Sequence, residues 1–254
     1  MKISPKKSLG QNFLKDKKIL NQIAILGEIG ENDTVIEVGP GTGNLTEEIL
    51  KKKPKNLTVI EKDKNLIEIL KNKFGDKIEI INDDILKFSH NKYINKEIII
   101  FGNLPYNISS QILVKIIKLK NLSSKCSDII FMFQKELADK IIGIFPSKNY
   151  GRLSILTNYR LKFIKKFSVS PNCFFPKPKI ISTVLHFKSK RNLSYNLKKI
   201  ENLEKITNIF FSNKRKMINK TISKVLNKKE LKKISNLNLM LRPSELSPET
   251  YYKI

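Results

Sequence analysis

Two hydrophobic patterns alternate over the first 135 or so residues. Short, nearly unbroken apolar runs occur at 33–38 (DTVIEV), 57–60, 77–81, 97–101 and 128–133. Between them, apolar residues recur at helical spacing: Ile19, Leu20, Ile23 and Leu26; then 45–52; then Leu66, Ile67, Leu70 and Phe74; then 109–120. Runs without polar alternation suit strands covered on both faces, and a 3.6-residue period suits helices that bury one stripe. Strand and helix in alternation predict an α/β fold, a doubly wound and mostly parallel sheet with helices on both faces.

The pattern changes after Tyr150. Segments 153–159 and 182–187 read as strands with no long helix between them, joined by a loop holding Pro171, Pro176 and Pro178. That predicts an antiparallel edge to the sheet. From about Lys190 the chain turns polar and then helical. The reading is two domains: 1–189, opening with a basic arm at 1–15, and a small helical domain at 190–254. No internal repeat is visible.

Charge narrows the partner. Lys and Arg total 49 against 23 acids, a net charge of +26. Each phosphate that such a surface neutralises releases condensed counterions, so a polyanionic partner is favoured. Drift toward Lys, Asn and Ile on solvated surfaces competes with that reading, and so does binding to a membrane surface. No stretch approaches the roughly 18 apolar residues of a spanning helix. The basic N-terminus lacks the apolar run of a secretory signal. Cys126 and Cys173 are far apart and lack metal-ligand spacing, so they read as reduced thiols of a cytoplasmic protein with no metal site. The two histidines, His90 and His186, sit in no plausible site, and His186 reads as structural.

Chemistry gathers at the ends of the strands. Glycines at 39, 41 and 43 follow the first strand and open a helix. Their Gly-x-Gly-x-Gly spacing is neither the dinucleotide Gly-x-Gly-x-x-Gly nor a triphosphate-binding loop. Glu61 ends the second strand, where a carboxylate can accept ribose hydroxyls. Asp84 follows the third strand and is placed to meet an adenine amine. After the fourth strand comes Asn103-Leu104-Pro105-Tyr106. The Asn103 side-chain carbonyl and the Leu104 backbone carbonyl, stiffened by Pro105, are two acceptors suited to an exocyclic amine, and Tyr106 offers a face for stacking a base. An adenine amine is a poor nucleophile because its lone pair is delocalised into the ring. Accepting both its hydrogens favours a pyramidal nitrogen. With a methyl sulfonium as donor, alignment matters more than a strong base.

These motifs, with several others, resemble the small-subunit ribosomal RNA adenine dimethyltransferase family. The shared segments are 7–14 (KSLGQNFL), 37–46, 59–61, Asp83-Asp84, 101–109 (FGNLPYNIS), 150–154 (YGRLS), 174–179 (FFPKPK) and 211–216 (FSNKRK). The resemblance spans nearly the whole chain. It implies a Rossmann-like class I methyltransferase fold with a seven-stranded sheet. It also implies S-adenosylmethionine as cofactor, S-adenosylhomocysteine as product, and no metal. Asn12 and Leu14 would close over the cofactor, and Gly39, with Gly41, would pack against it. Glu61 would hold its ribose and Asp84 its adenine amine, with Asn103 at the junction with the target. Tyr106 and Phe174 would sandwich the target base. The implied target is two adjacent adenines in a hairpin loop near the 3′ end of small-subunit (16S) rRNA, each dimethylated, within a pre-ribosomal particle and by a monomer. The last helix is expected to be short, and the Lys-rich helical domain matches loosely.

Phe175 could supply the second ring, but the Phe-x-Pro-x-Pro-Lys spacing selects Phe174, with Lys177 and Lys179 beside it for phosphate. Lys214, Arg215, Lys216, Lys220 and Lys224 read as a basic helix face for rRNA. Two other functions fit the same residues: a large-subunit rRNA adenine methyltransferase of the antibiotic-resistance type, and a non-catalytic ribosome assembly factor.

Overall fold

The structure is a computed structural model and describes residues 5–6, 10–88, 97–197, 199–234 and 237–254. His90 and residues 7–9 of the arm motif lie outside the described residues. Along the first half run β1 (Phe13–Leu14), α1 (Lys17–Ile25), β2 (Thr34–Val38), α2 (Asn44–Leu50), β3 (Asn56–Glu61), α3 (Lys64–Phe74) and β4 (Glu79–Asn82). Then follow β5 (Ile98–Asn103), α4 (Ser109–Ile117), α5 (Leu122–Lys125), β6 (Cys126–Gln134), α6 (Lys135–Ile141), α7 (Arg152–Arg160), β7 (Leu161–Val169), β8 (Phe174–Phe175) and β9 (Ser182–Ser189). The chain ends in α8 (Ile200–Phe211), α9 (Lys228–Lys233) and α10 (Pro248–Lys253).

Seven strands form one sheet in the order β4-β3-β2-β5-β6-β9-β7. The pairings from β4 through β6 are parallel, and β9 runs antiparallel to β6. The central strands are buried on both faces, as their unbroken apolar runs require. Helix α3 starts where Asp63 accepts the Asn65 N–H, and it buries Leu66, Ile67, Leu70 and Phe74. Strand order reverses at β2 and β5, so the loops after these strands meet at the carboxyl edge, where ligands of such sheets bind. A separate two-stranded ribbon pairs β1 with β8, Phe13 opposite Phe175 and Leu14 opposite Phe174.

Two expectations are corrected. Segment 153–159 is helical, within α7, and the adjoining strand is β7. Ser154 Oγ donates to the Gly151 carbonyl and accepts its N–H, closing the first turn, while Ile155, Leu156 and Tyr159 are buried at helical spacing. The division into compact units also differs from a cut at 189. Residues 1–138 and 162–189 make one unit, and 139–161 join 190–254 in the second. Within that second unit Tyr150 donates to the Leu246 carbonyl (2.9 Å), Tyr252 to that of Ile155 (3.1 Å), and Arg152 pairs with Glu204 (3.2 Å). These bonds join segments 52 to 97 residues apart, so no local pattern announces them.

His186 is buried on β9 with Nε2 2.6 Å from Asp128 Oδ1. Both cysteines are free thiols. Among the described residues, no helix is long and apolar enough to cross a membrane, and no cluster of His, Cys, Asp and Glu could hold a metal.

Candidate active site

A cavity of about 220 Å³ opens at the carboxyl edge of the sheet. Its walls come from residues 10–14 of the arm, the loop after β2, Glu61 and Lys62, residues 83–86, and residues 103–108 after β5. The parallel register explains the gathering. Val38 pairs with both Ile60 and Gly102, so Gly39, Glu61 and Asn103 stand next in line on three adjacent strands.

Gly41 adopts φ +59°, and a Cβ there would meet the Phe13 ring at 3.0 Å, so only glycine lets the turn and the arm approach so closely. The Gly41 N–H donates to Glu61 Oε2 (3.2 Å), while Glu61 Oε1 accepts the N–H groups of Lys62 and Asp63 (both 2.9 Å). Burial raises the Glu61 carboxyl above its ordinary range, and those backbone donors partly oppose the rise. Oε2 keeps a lone pair for a further donor such as a ribose hydroxyl.

Asp84 is held below its usual range, first by Lys62 Nζ (2.9 Å) and then by the Leu86 N–H (2.9 Å). Lys115 Nζ donates to the Leu86 and Phe88 carbonyls (2.7 and 2.8 Å) and fixes the loop that carries Asp84. Glu37 lies beneath the glycine turn, 1% exposed, and accepts from Thr46 Oγ1 at 2.6 Å. Burial pushes its carboxyl up to about 8, with the Thr46 bond opposing. Near neutrality it therefore carries its proton and adds little charge to the cavity.

On the other wall, Asn103 Nδ2 donates to the Asn12 backbone carbonyl (3.0 Å). The Leu104 side chain is 2% exposed, so Leu104 can offer the cavity only its backbone. The Tyr106 hydroxyl lies 2.6 Å from Ser182 Oγ, which fixes the ring, and burial raises its phenol. Leu14 is buried, and its carbonyl accepts from Asn44 Nδ2 (2.7 Å).

The cavity thus brings together Asn12, Leu14, Gly39, Gly41, Glu61, Asp84, Asn103, Leu104, Pro105 and Tyr106. It does not include Phe174. That ring is 2% exposed and packs in the core with Leu14 and Val169, whereas Phe175 is 56% exposed. Strand alternation sends one ring of the pair inward and the other outward, and the buried side falls to Phe174. The expectation of an open Phe174 face is corrected accordingly.

The basic helix face is corrected as well. Lys214, Arg215 and Lys216 lie in a turn beyond α8, with Lys220 and Lys224 in the short 3₁₀ turns that follow, all exposed. Lys214 and Arg215 line a concavity of the second unit with Lys148, Arg152 and Arg242. Residues the sequence did not single out are Glu37, Asp63, Lys115 and Ser182. Glu37 opens the 37–46 motif, and Asp63 stands two residues after Glu61; Lys115 and Ser182 carry no local signal.

The donor set fits S-adenosylmethionine: an available Glu61 oxygen for a ribose, an ionised Asp84 for an adenine amine, and a glycine cradle under the arm. Residues 3–254 match the family described as "Ribosomal RNA adenine dimethylase". A protein of Pelagibacter ubique named "Ribosomal RNA small subunit methyltransferase A" is 48% identical over 255 residues, covering 100% of this chain and 97% of its own. The protein of that name from Malacoplasma penetrans is 38% identical, covering 98% and 90%. A dimethyladenosine transferase from Plasmodium falciparum superposes with a TM-score of 0.77 at 27% identity, covering 95% of each chain. The 23S rRNA methyltransferase ErmE, at 22% identity and a TM-score of 0.70, shares the fold. A match over almost every residue, with the arm, glycine-turn, Glu61, Asp84 and Asn103–Tyr106 motifs gathered around one cavity, places this chain in the ribosomal RNA adenine dimethylase family.

Proposed function

We propose that the chain is an S-adenosylmethionine-dependent methyltransferase that dimethylates the exocyclic amines of two adjacent adenines near the 3′ end of small-subunit (16S) rRNA, releasing S-adenosylhomocysteine. One observation carries this reading: the Asn103–Tyr106 loop shares a single cavity with Gly39, Glu61 and Asp84. A nucleoside cofactor and an adenine amine can therefore meet there.

When bound, S-adenosylmethionine supplies an electrophilic methyl sulfonium. Glu61 Oε2 accepts a ribose hydroxyl, and Asp84 takes the adenine amine in place of or beside Lys62. Asn12 and Leu14 cover the cofactor from the arm. The Asn103 side-chain oxygen and the Leu104 carbonyl would accept the two hydrogens of the unmethylated amine, and one of them the single hydrogen left after the first transfer, orienting the nitrogen lone pair; each transfer would release one proton. Tyr106, its hydroxyl tethered to Ser182, presents a fixed face to the extruded base. The exposed cations of the second unit suit an rRNA backbone. The setting consistent with this is a cytoplasmic pre-ribosomal particle engaged by a monomer.

Mass spectrometry of small-subunit rRNA after incubation of unmethylated subunits with protein and cofactor tests the proposal. Dimethyladenosine at adjacent positions is expected. Label confined to large-subunit RNA would favour the antibiotic-resistance type of enzyme, and subunit binding without cofactor affinity would favour an assembly factor. Asn103→Ala should lose most turnover while binding cofactor normally, and near-normal turnover would refute its role.

A further inference from the structure

The arm is clasped to the sheet upstream of β1. Lys6 Nζ donates to Asp63 Oδ1 (2.7 Å) and Gln11 Nε2 to Asp63 Oδ2 (2.9 Å). The Lys6 N–H also donates to Gln11 Oε1 (2.7 Å), so both arm residues are locked on one carboxylate. Asp63 is 5% exposed and caps α3 through the Asn65 N–H (3.1 Å), which makes it a rigid anchor. Burial alone would raise its carboxyl, but the donors Lys6, Gln11 and Asn65 bring it below its ordinary range. The next arm residue, Asn12, accepts Asn103 Nδ2 on its backbone carbonyl (3.0 Å).

A carboxamide has a donor end and an acceptor end. With Nδ2 held by the arm, Oδ1 is the end left for the target amine. We propose that Asp63 is a positioning residue for methyl transfer: by seating Lys6 and Gln11 it holds the Asn12 carbonyl against Asn103 and fixes the carboxamide oxygen toward the amine. This rests on the adenine-methylation reading. With the arm unseated, the carboxamide can turn over and set donor against donor, so fewer molecules are competent even when cofactor saturates.

The test compares Asp63→Asn, which keeps the helix cap, with Lys6→Met, at a side chain 43% exposed and outside the core, with melting temperatures of both checked against the parent. At saturating cofactor on unmethylated small subunits, kcat should fall in Asp63→Asn by up to about a hundredfold, the scale of a catalytic group misplaced by about 1 Å. Lys6→Met should move it the same way by less, and the double variant should fall short of the product of the two. The side-chain NH₂ protons of Asn103, followed by NMR, report the link without turnover: protected in the parent, they should lose protection in both variants. A kcat within about twofold of the parent in both single variants, or unchanged NH₂ protection, overturns the proposal. An inactive parent chain would instead count against the methylation reading, while the NMR result still decides the link.

Discussion

Replacing Glu37 by Gln removes a buried carboxyl without changing its shape, because the amide oxygen can still accept from Thr46 Oγ1. In the folded chain burial lifts the Glu37 carboxyl from 4.5 to about 8. Below about pH 4.5 both folded and unfolded states hold the proton, and the group leaves stability unaffected. Between about 4.5 and 8 the unfolded chain has lost that proton and the folded chain keeps it, so stability falls as pH rises, and above about 8 the loss is complete. At no more than about 1.4 kcal/mol per pH unit, the three pH units from 5 to 8 set a ceiling of about 4 kcal/mol. Gln does not titrate, and every other group cancels when the two proteins are compared. The melting temperature of Glu37→Gln minus that of the parent should therefore rise from pH 5 to pH 8. At about 2–4 °C per kcal/mol for a chain of this size, the ceiling is about 8–16 °C. Differential scanning calorimetry at unit pH steps is the assay. A gap that changes by less than about 2 °C across the window, less than about 1 kcal/mol, would refute the buried-proton reasoning.

Glu61→Ala should weaken cofactor affinity measured by calorimetry, because the turn at Gly41 and the ribose both lose their acceptor; an unchanged dissociation constant would count against that role. Gly43→Ala should lower stability by about 1–3 kcal/mol in thermal unfolding, since Gly43 sits at φ +76° and a Cβ there would collide with the Phe74 ring. Phe174→Ala should cost about 3–5 kcal/mol, as loss of a core ring does, whereas Phe175→Ala should stay near the parent in melting temperature. Equal melting temperatures for the two would show that Phe174 is not part of the core.

Much of the unit bearing the cavity was legible because its signals are local. Helix α3 runs over 64–74 as its apolar stripe predicts, and each parallel strand falls within a few residues of its apolar run. The loops after β2 and β5 were readable because their chemistry is written in consecutive residues. What escaped depends on long-range contacts. Segment 153–159 carries apolar residues at positions that satisfy either period, and burial within the second unit settles it as a helix. The inward turn of Phe174 is set by pairing with Leu14, about 160 positions away, and a one-residue slip would exchange it with Phe175. The role of Asp63 rests on Lys6 and Gln11, more than fifty positions away, which no local pattern links to it.

The geometry also explains why this sheet suits a transfer between two purines. Neighbouring strands stand about 4.8 Å apart, so Glu61 and Asn103, on either side of β2, are separated at the backbone by about 10 Å. That separation is set by strand spacing alone, without any loop having to measure it. The register of β3, β2 and β5 sets the length, with Val38 paired to Ile60 on one side and to Gly102 on the other. The strands are buried on both faces, so a slip in register would cost the packing of a whole strand. The separation of Glu61 and Asn103 is therefore as stable as the core. The arm meets this span from outside the sheet, touching the turn at Gly41 through Phe13 and Asn103 through Asn12.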